Sequence, residues 1–281
     1  MQIFKSKALH ILAAYLAISL VFGGCSSTKK PKPSEGVQRT RTPSAERSCK
    51  LGVNLNIHNS EMLRKYVSMR GVISTWSFEL AQRNFSGYEG WFRVLIAPSL
   101  ADLEDMAKKA KENNIPYEAL GYDLEEGANV PTSEYNDPLG SGEAARALAD
   151  KYRKQLVMLP ALSLMTKNSD LYSPMAALSD AWMIQTQDLQ VLPPEEYRQQ
   201  VEQIIQLIRS GHADLPVYAQ IVLTPQRLEA QYWLDYRQAI ANRVQGVALA
   251  FFAWDKVDHQ QALMVMEQVM TTVCSNATPV P

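Results

Sequence analysis

The chain has 281 residues, 46% hydrophobic and 20% charged, which is enough apolar material for one large packed domain and too much for a disordered chain. Residues 1–48 hold eight of the 28 Lys/Arg and two of the 29 Asp/Glu, so residues 49–281 keep 20 bases and 27 acids, a formal charge of −7. An acidic folded part argues against nucleic acid as a partner.

At the N-terminus, Lys5 and Lys7 precede an apolar run from Ala8 to Phe22 that ends in Gly23, Gly24 and Cys25. A run this short and this sharply bounded has the form of a secretory signal rather than a membrane span. A plain cleaved signal and an uncleaved anchor are the alternatives. The small residues before Cys25 resemble the lipobox of bacterial lipoproteins, with Phe22 where that family prefers leucine. The resemblance implies a signal peptide over 1–24 and a Cys25 acylated with palmitate-like chains. Ser26, in place of aspartate, resembles the outer-membrane sorting preference, so the expected location is the cell envelope, lipid-anchored at the outer membrane. Residues 25–48, which include "TKKPKPSEGVQRTRTP", have no apolar periodicity and read as a tether. Its bases either lie against anionic headgroups or stay solvated.

From residue 49 to 276, apolar and β-branched runs alternate with amphipathic stretches. The predicted strands are 51–57, 71–76, 92–97, 117–125, 156–162, 181–187, 217–223 and 246–254. Most are continuously apolar, as strands covered on both faces must be. Between them, Ser99 and Asp102 form a capping box for a helix through Lys111. Pro193 and Pro194 open a helix whose Val201, Ile204, Ile205 and Ile208 share one face and which Gly211 closes. Thr224 and Pro225 open the next, towards Asn242, whereas Ser77–Gly90 gives a poor helix pattern. Eight such units in this length predict a single-domain α/β fold, a (β/α)8 barrel, with a doubly wound α/β sheet as the alternative.

In such a barrel the first strand begins, and the last helix ends, at the N-terminal face. Cys49 and Cys274 would therefore meet, and an exported compartment permits their disulfide, with two free buried thiols as the alternative. Closing almost the whole domain, it would contribute about 4 to 5 kcal/mol in the loop-entropy model.

Barrel enzymes carry their chemistry at the C-terminal strand ends. There the sequence places Asn56 and His58 after strand one, Trp76 and Glu79 at strand two, and Tyr122, Asp123, Glu125 and Glu126 at strand four. Gln185, Gln187 and Asp188 follow at strand six, Gln220 at strand seven, and Trp254 and Asp255 at strand eight. Rings beside carboxylates and amides suit a sugar, whose C–H faces stack while its hydroxyls take hydrogen bonds. The expected substrate-binding set is Tyr122, Trp76, Gln185, Gln187 and Trp254. Asp123 and Glu125, two apart on a strand, point to one face, and Glu126 to the other. Their repulsion raises the pKa of one, which makes them the catalytic candidates, with Glu125 as acid and Asp123 tuning it; the alternative is a pair of solvated acids at a strand end.

The "YDLE" of strand four resembles the chitinase-like glycoside hydrolases, whose fourth strand ends in an Asp-x-Glu pair. The earlier acids of that pattern fall at Glu118 and Gly121 here, so half of it is absent. The stretch "AWMIQTQDLQVLPPEEYRQQVEQIIQLIR" is similar to uncharacterised exported bacterial barrel proteins, which brings a fold but no substrate. The resemblance implies a membrane-anchored, glycoside hydrolase-like barrel acting on or binding a polysaccharide or cell-envelope glycan. The alternative is a non-catalytic envelope lipoprotein that binds a glycan or a protein partner.

The loop 127–142 is long and lies over the acids, as a lid or binding wall or else as a flexible insertion, with Tyr135 the residue whose mutation decides. Gly140, Gly142 and Ala145 spell GxGxxA after a loop rather than a strand, so no dinucleotide cofactor is expected. His58, His212 and His259 lack ligand spacing, so no metal is expected. Met264, Met266 and Met270 of the last helix are expected to pack on the barrel.

Overall fold

The computed structural model describes residues 48–127, 130–251 and 258–275. Their eight strands are β1 (Ser48–Asn54), β2 (Arg70–Thr75), β3 (Phe92–Ala97), β4 (Ala119–Tyr122), β5 (Gln155–Met158), β6 (Ala181–Gln185), β7 (Val217–Leu223) and β8 (Gly246–Phe251). All pair in parallel, in chain order, and close into one barrel. The ring is shut by β1 on β8, with Leu51 opposite Val247 and Val53 opposite Leu249. This excludes the doubly wound alternative, which leaves its edge strands open.

The helices among the described residues are α1 (Ser60–Leu63), α2 (Phe78–Asn84), α3 (Leu100–Glu112), α4 (Thr132–Asn136), α5 (Pro138–Tyr152), α6 (Leu162–Lys167), α7 (Tyr172–Ala177), α8 (Pro194–Gly211), α9 (Ala230–Ile240) and α10 (His259–Ser275). None is long and apolar enough to cross a membrane.

Alternation along each strand divides the core in two. Outward residues such as Leu51, Val53, Ile73, Leu95, Leu120 and Leu156 pack under the helices. Inward residues, Val94, Ile96, Val157, Leu159 and Met183 with the small Ala119, Ala181 and Ala248, form a second cluster around the barrel axis. Both faces of β3, β4 and β6 are thereby largely removed from water, which is why their sequences read as nearly unbroken apolar runs.

Helix ends follow their capping residues. Ser99 Oγ accepts from Asp102 N at 3.1 Å and donates to Asp102 Oδ2 at 2.7 Å, starting α3. Asp137 accepts from Gly140 N at 3.1 Å ahead of Pro138, starting α5. Helix α8 buries Val201, Ile204, Ile205 and Ile208 and ends on Gly211, where an added Cβ would stand 1.9 Å from the Ser173 carbonyl oxygen of α7.

Several expectations are corrected. Thr224 and Pro225 do not open a helix: Arg227 N bonds back to the Thr224 carbonyl in a turn, and α9 starts at Ala230. The Ser77–Gly90 stretch does form a helix, because Ser77 caps α2 by accepting from Leu80 N at 3.3 Å, a local bond that hydrophobic periodicity does not register. Ten of the sixteen residues of the predicted loop 127–142 are helical, in α4 and the start of α5, and Gly140 and Gly142 lie inside α5. Met266 and Met270 are buried as expected, but Met264 is 65% exposed.

Candidate functional site

Strand β4 ends at Tyr122, and the chain stays extended enough beyond it that alternation continues. Asp123 is buried facing the barrel mouth, Leu124 is fully buried on the helix side, and Glu125 reaches solvent. The backbone N–H of Asp123 still bonds the Ala97 carbonyl of β3 at 3.0 Å, which extends the ladder by one residue and fixes the carboxyl.

Around Asp123 the partners are specific. Gln185, 3% exposed at the end of β6, donates one Nε2 hydrogen to Asp123 Oδ1 at 2.7 Å and the other to the Leu159 carbonyl at 2.8 Å. A carbonyl only accepts, so Leu159 sets which way the Gln185 amide points, and Gln185 can meet Asp123 only as a donor. Gln185 Oε1 in turn accepts from Gln187 Nε2 at 3.0 Å. Gln187 Oε1, at the end of this chain of amides, is buried with no hydrogen-bond partner among the described residues. Just after β2, the Trp76 indole lies near enough to the Asp123 carboxyl to pull its pKa down, while 49% of the Trp76 surface stays in solvent at the mouth.

Asp123 and Glu125 lie two residues apart at the end of β4, near enough that the Glu125 charge acts on the Asp123 carboxyl. The Asp123 carboxyl is pushed up to about 8, first by its burial and then by the negative charge of Glu125, against the downward pull of Trp76 and Gln185. Sequence reasoning expected the repulsion to act on Glu125. It acts on Asp123, because desolvation is the largest cause and Asp123 is the buried member.

The other expected residues divide. Trp76, Gln185 and Gln187 come together at Asp123. Tyr122 does not: it is fully buried on the helix side of β4, with its hydroxyl donating to Glu134 Oε2 at 2.7 Å. Glu134 also accepts from Leu100 N at 3.0 Å, so it braces the start of α3 rather than the mouth. Glu126 is exposed and accepts from the Tyr135 hydroxyl at 3.3 Å. Glu79 accepts from Ser77 Oγ at 3.0 Å at the start of α2. Asn56 is structural, its Oδ1 accepting from the backbone N–H of His58 and Asn59. Trp254, Asp255 and Cys25 lie outside the described residues, as does the Cys49 side chain. Cys274 is fully buried at the end of α10.

Two features escaped the sequence reading. His58 and His259, far apart in the chain, bring their ring centroids within 3.8 Å, and burial followed by the His259 charge lowers the His58 pKa. Gln185 is the residue that orients Asp123, and its inward position follows from the alternation of Ala181, Met183 and Gln185 along β6. No group of three or more His, Cys, Asp or Glu suited to a metal occurs among the described residues.

No protein-family model matches the chain. No curated protein matches it either. Among solved structures, it is similar to the N-terminal domain of a protein named as an aldolase from Bacteroides vulgatus, at 7% identity and TM-score 0.46 over 82% of this chain and 85% of that one. A protein named as a lactate oxidase, from Pediococcus acidilactici, matches at 10% identity and TM-score 0.47 over 83% and 76%. A protein named as a deoxyribose-phosphate aldolase, from Toxoplasma gondii, matches at 10% identity and TM-score 0.44 over 78% and 94%. These likenesses concern the barrel fold.

The expectation of a glycoside hydrolase-like barrel or an envelope glycan binder is corrected. The residues that carried the expectation do not bear it out. Of the earlier acids in the chitinase-like pattern, Gly121 has no carboxyl, and Glu118 is held by Arg93 Nη2 at 2.6 Å at the opposite, N-terminal end of the barrel.

Proposed function

We propose that the chain is an enzyme that transfers a proton through the Asp123–Glu125 carboxyl pair to a small polar molecule bound at the barrel mouth. One arrangement carries this reading: a buried carboxyl at the C-terminal end of β4, oriented by Gln185, whose burial and neighbouring Glu125 charge push its pKa up to about 8. A carboxyl with a pKa near the working pH is a matched general acid, and its conjugate base is present in useful amount. In the reading, Asp123 carries the proton on the side away from Gln185. Glu125, exposed beside it, exchanges that proton with solvent. The test is solvent exchange. The full chain is incubated in D2O with small molecules that bear a hydrogen next to a carbonyl, and deuterium incorporation is read by NMR. Incorporation by the wild type and not by Asp123→Asn is expected; equal incorporation by both would contradict the reading.

The reading extends to the N-terminal segment as a lipoprotein. Residues 1–24 are removed, Cys25 is acylated, residues 25–48 tether the barrel domain of residues 49–276, and the chain sits in the cell envelope at the outer membrane. The membrane is then the partner, reached through the lipid, and nucleic acid is not. The lipobox resemblance supports this. Labelled palmitate should enter the wild type and not Cys25→Ser. In that oxidising compartment Cys49 and Cys274 are paired, which the packing of α10 on β1 supports.

A further inference from the structure

Beneath the site, the barrel axis is not filled. Barrel interiors are ordinarily packed by layers of inward side chains, yet here a chamber of about 40 Å³ remains, reaching from mid-barrel to Trp76 at the mouth. A water needs about 10 to 15 Å³ on the same measure, so the space exceeds one water. It is not a symptom of loose packing. An added Cβ at Gly121 would stand 2.8 Å from Ile96 Cγ1, and one at Gly52 would stand 3.0 Å from the Ala248 Cβ, so the small residues around the axis are in close contact with their neighbours. The gap has a definite place and shape in an otherwise tight interior.

Its walls are mainly apolar, with Val72, Val94, Leu159 and Met183 among them. Ser74 and Gln220 give one side a polar edge. An apolar cavity stays dry and takes apolar ligands, and an unfilled one in a close-packed interior is a standing cost to stability. The upper end opens beside Trp76, whose indole also acts on the Asp123 carboxyl. At the mouth, in the amide chain that runs from Asp123 through Gln185, the Gln187 side-chain Oε1 is buried and without a partner among the described residues.

We infer that the axial chamber is a binding site for the short aliphatic end of a small molecule. The polar head of that molecule stays at the mouth, with a hydroxyl or amine donating to Gln187 Oε1. This rests on the proton-transfer reading for the head and on the chamber for the tail, and it adds the substrate class: a compact amphiphile with a hydrogen-bond donor, not a fully polar metabolite.

The probes are xenon and the primary alcohols from methanol to hexanol, titrated into the full chain in detergent and read by methyl NMR. Saturable shifts confined to Val72, Val94, Leu159 and Met183 are expected. Alcohol affinity should rise about fourfold for each methylene until the chamber is full, the factor that burying one CH2 gives. Ala250→Leu, which projects into the chamber, should abolish binding of both probes. Val94→Ile, a one-methyl change that keeps the fold, should weaken it. Absence of saturable shifts from xenon and from every alcohol would overturn the inference, as would shifts that neither variant alters. The acid–base reading fails separately. If Asp123 titrates in the ordinary carboxylate range while the chamber fills, that reading falls and the chamber stands; the reverse pattern removes the chamber and leaves the acid.

Discussion

At Asp123 the surrounding groups oppose one another, and each can be removed singly. Burial and the Glu125 charge raise the pKa, while Trp76 and Gln185 hold it down. Glu125→Gln removes the charge, so the Asp123 midpoint should fall. Trp76→Phe keeps a ring at the mouth but removes the N–H donor, so the midpoint should rise. Carboxyl-resolved NMR titration reads both signs, and a rise with Glu125→Gln or a fall with Trp76→Phe would contradict the arrangement. Stability must follow the same shift. The folded chain keeps a proton on Asp123 that the unfolded chain releases near pH 4, so this carboxyl's contribution is fully present below about pH 4. It is lost as pH rises towards 8, by at most about 1.4 kcal/mol per pH unit for one proton. Relative to the wild type, Asp123→Asn should therefore gain stability as pH rises across that window. Urea midpoints at a series of pH values measure the difference, and parallel curves would contradict it.

At the scale of elements, strand and helix identity was legible because both faces of the strands are buried and the caps are local. The predicted third and seventh strands, 92–97 and 217–223, coincide with β3 and β7. Helices α3 and α8 begin where Ser99 and the Pro193–Pro194 pair indicated. Strand four was drawn too long, 117–125 against Ala119–Tyr122, since an extended segment with alternating burial reads like a strand whether or not its ladder continues. The Asp123/Glu125 pair was found by that alternation. Its polarity was missed, because which carboxyl is desolvated depends on Trp76 and Gln185 from other strands. Tyr122 was misplaced for a related reason: residue type suggested a sugar platform, but its odd position on β4 points it at Glu134. Tyr122→Phe should accordingly cost about 1 kcal/mol of stability and leave the Asp123 midpoint unchanged. Ser99→Ala should cost about 1 kcal/mol through the lost cap of α3. Thermal denaturation separates the two from the site variants, and a displaced Asp123 midpoint in Tyr122→Phe would return Tyr122 to the mouth.

For the whole molecule, closure of the barrel gathers side chains from β2, β4 and β6 at one mouth while leaving its axis partly empty. Closure also brings the start of β1 beside β8 and α10, so the proposed Cys49–Cys274 bond would cross-link nearly the full length of the domain. Cys274→Ser should then lower stability by about 2 to 4 kcal/mol under oxidising conditions, with no difference after reduction of the wild type. Two free thiols in oxidised, denatured protein would contradict it. The central claim, a carboxyl held protonated around neutrality at the barrel mouth, is tested most directly by 13C titration of Asp123 in the wild-type chain. A midpoint near 8 is predicted; a midpoint in the ordinary carboxylate range, around 4, would contradict it.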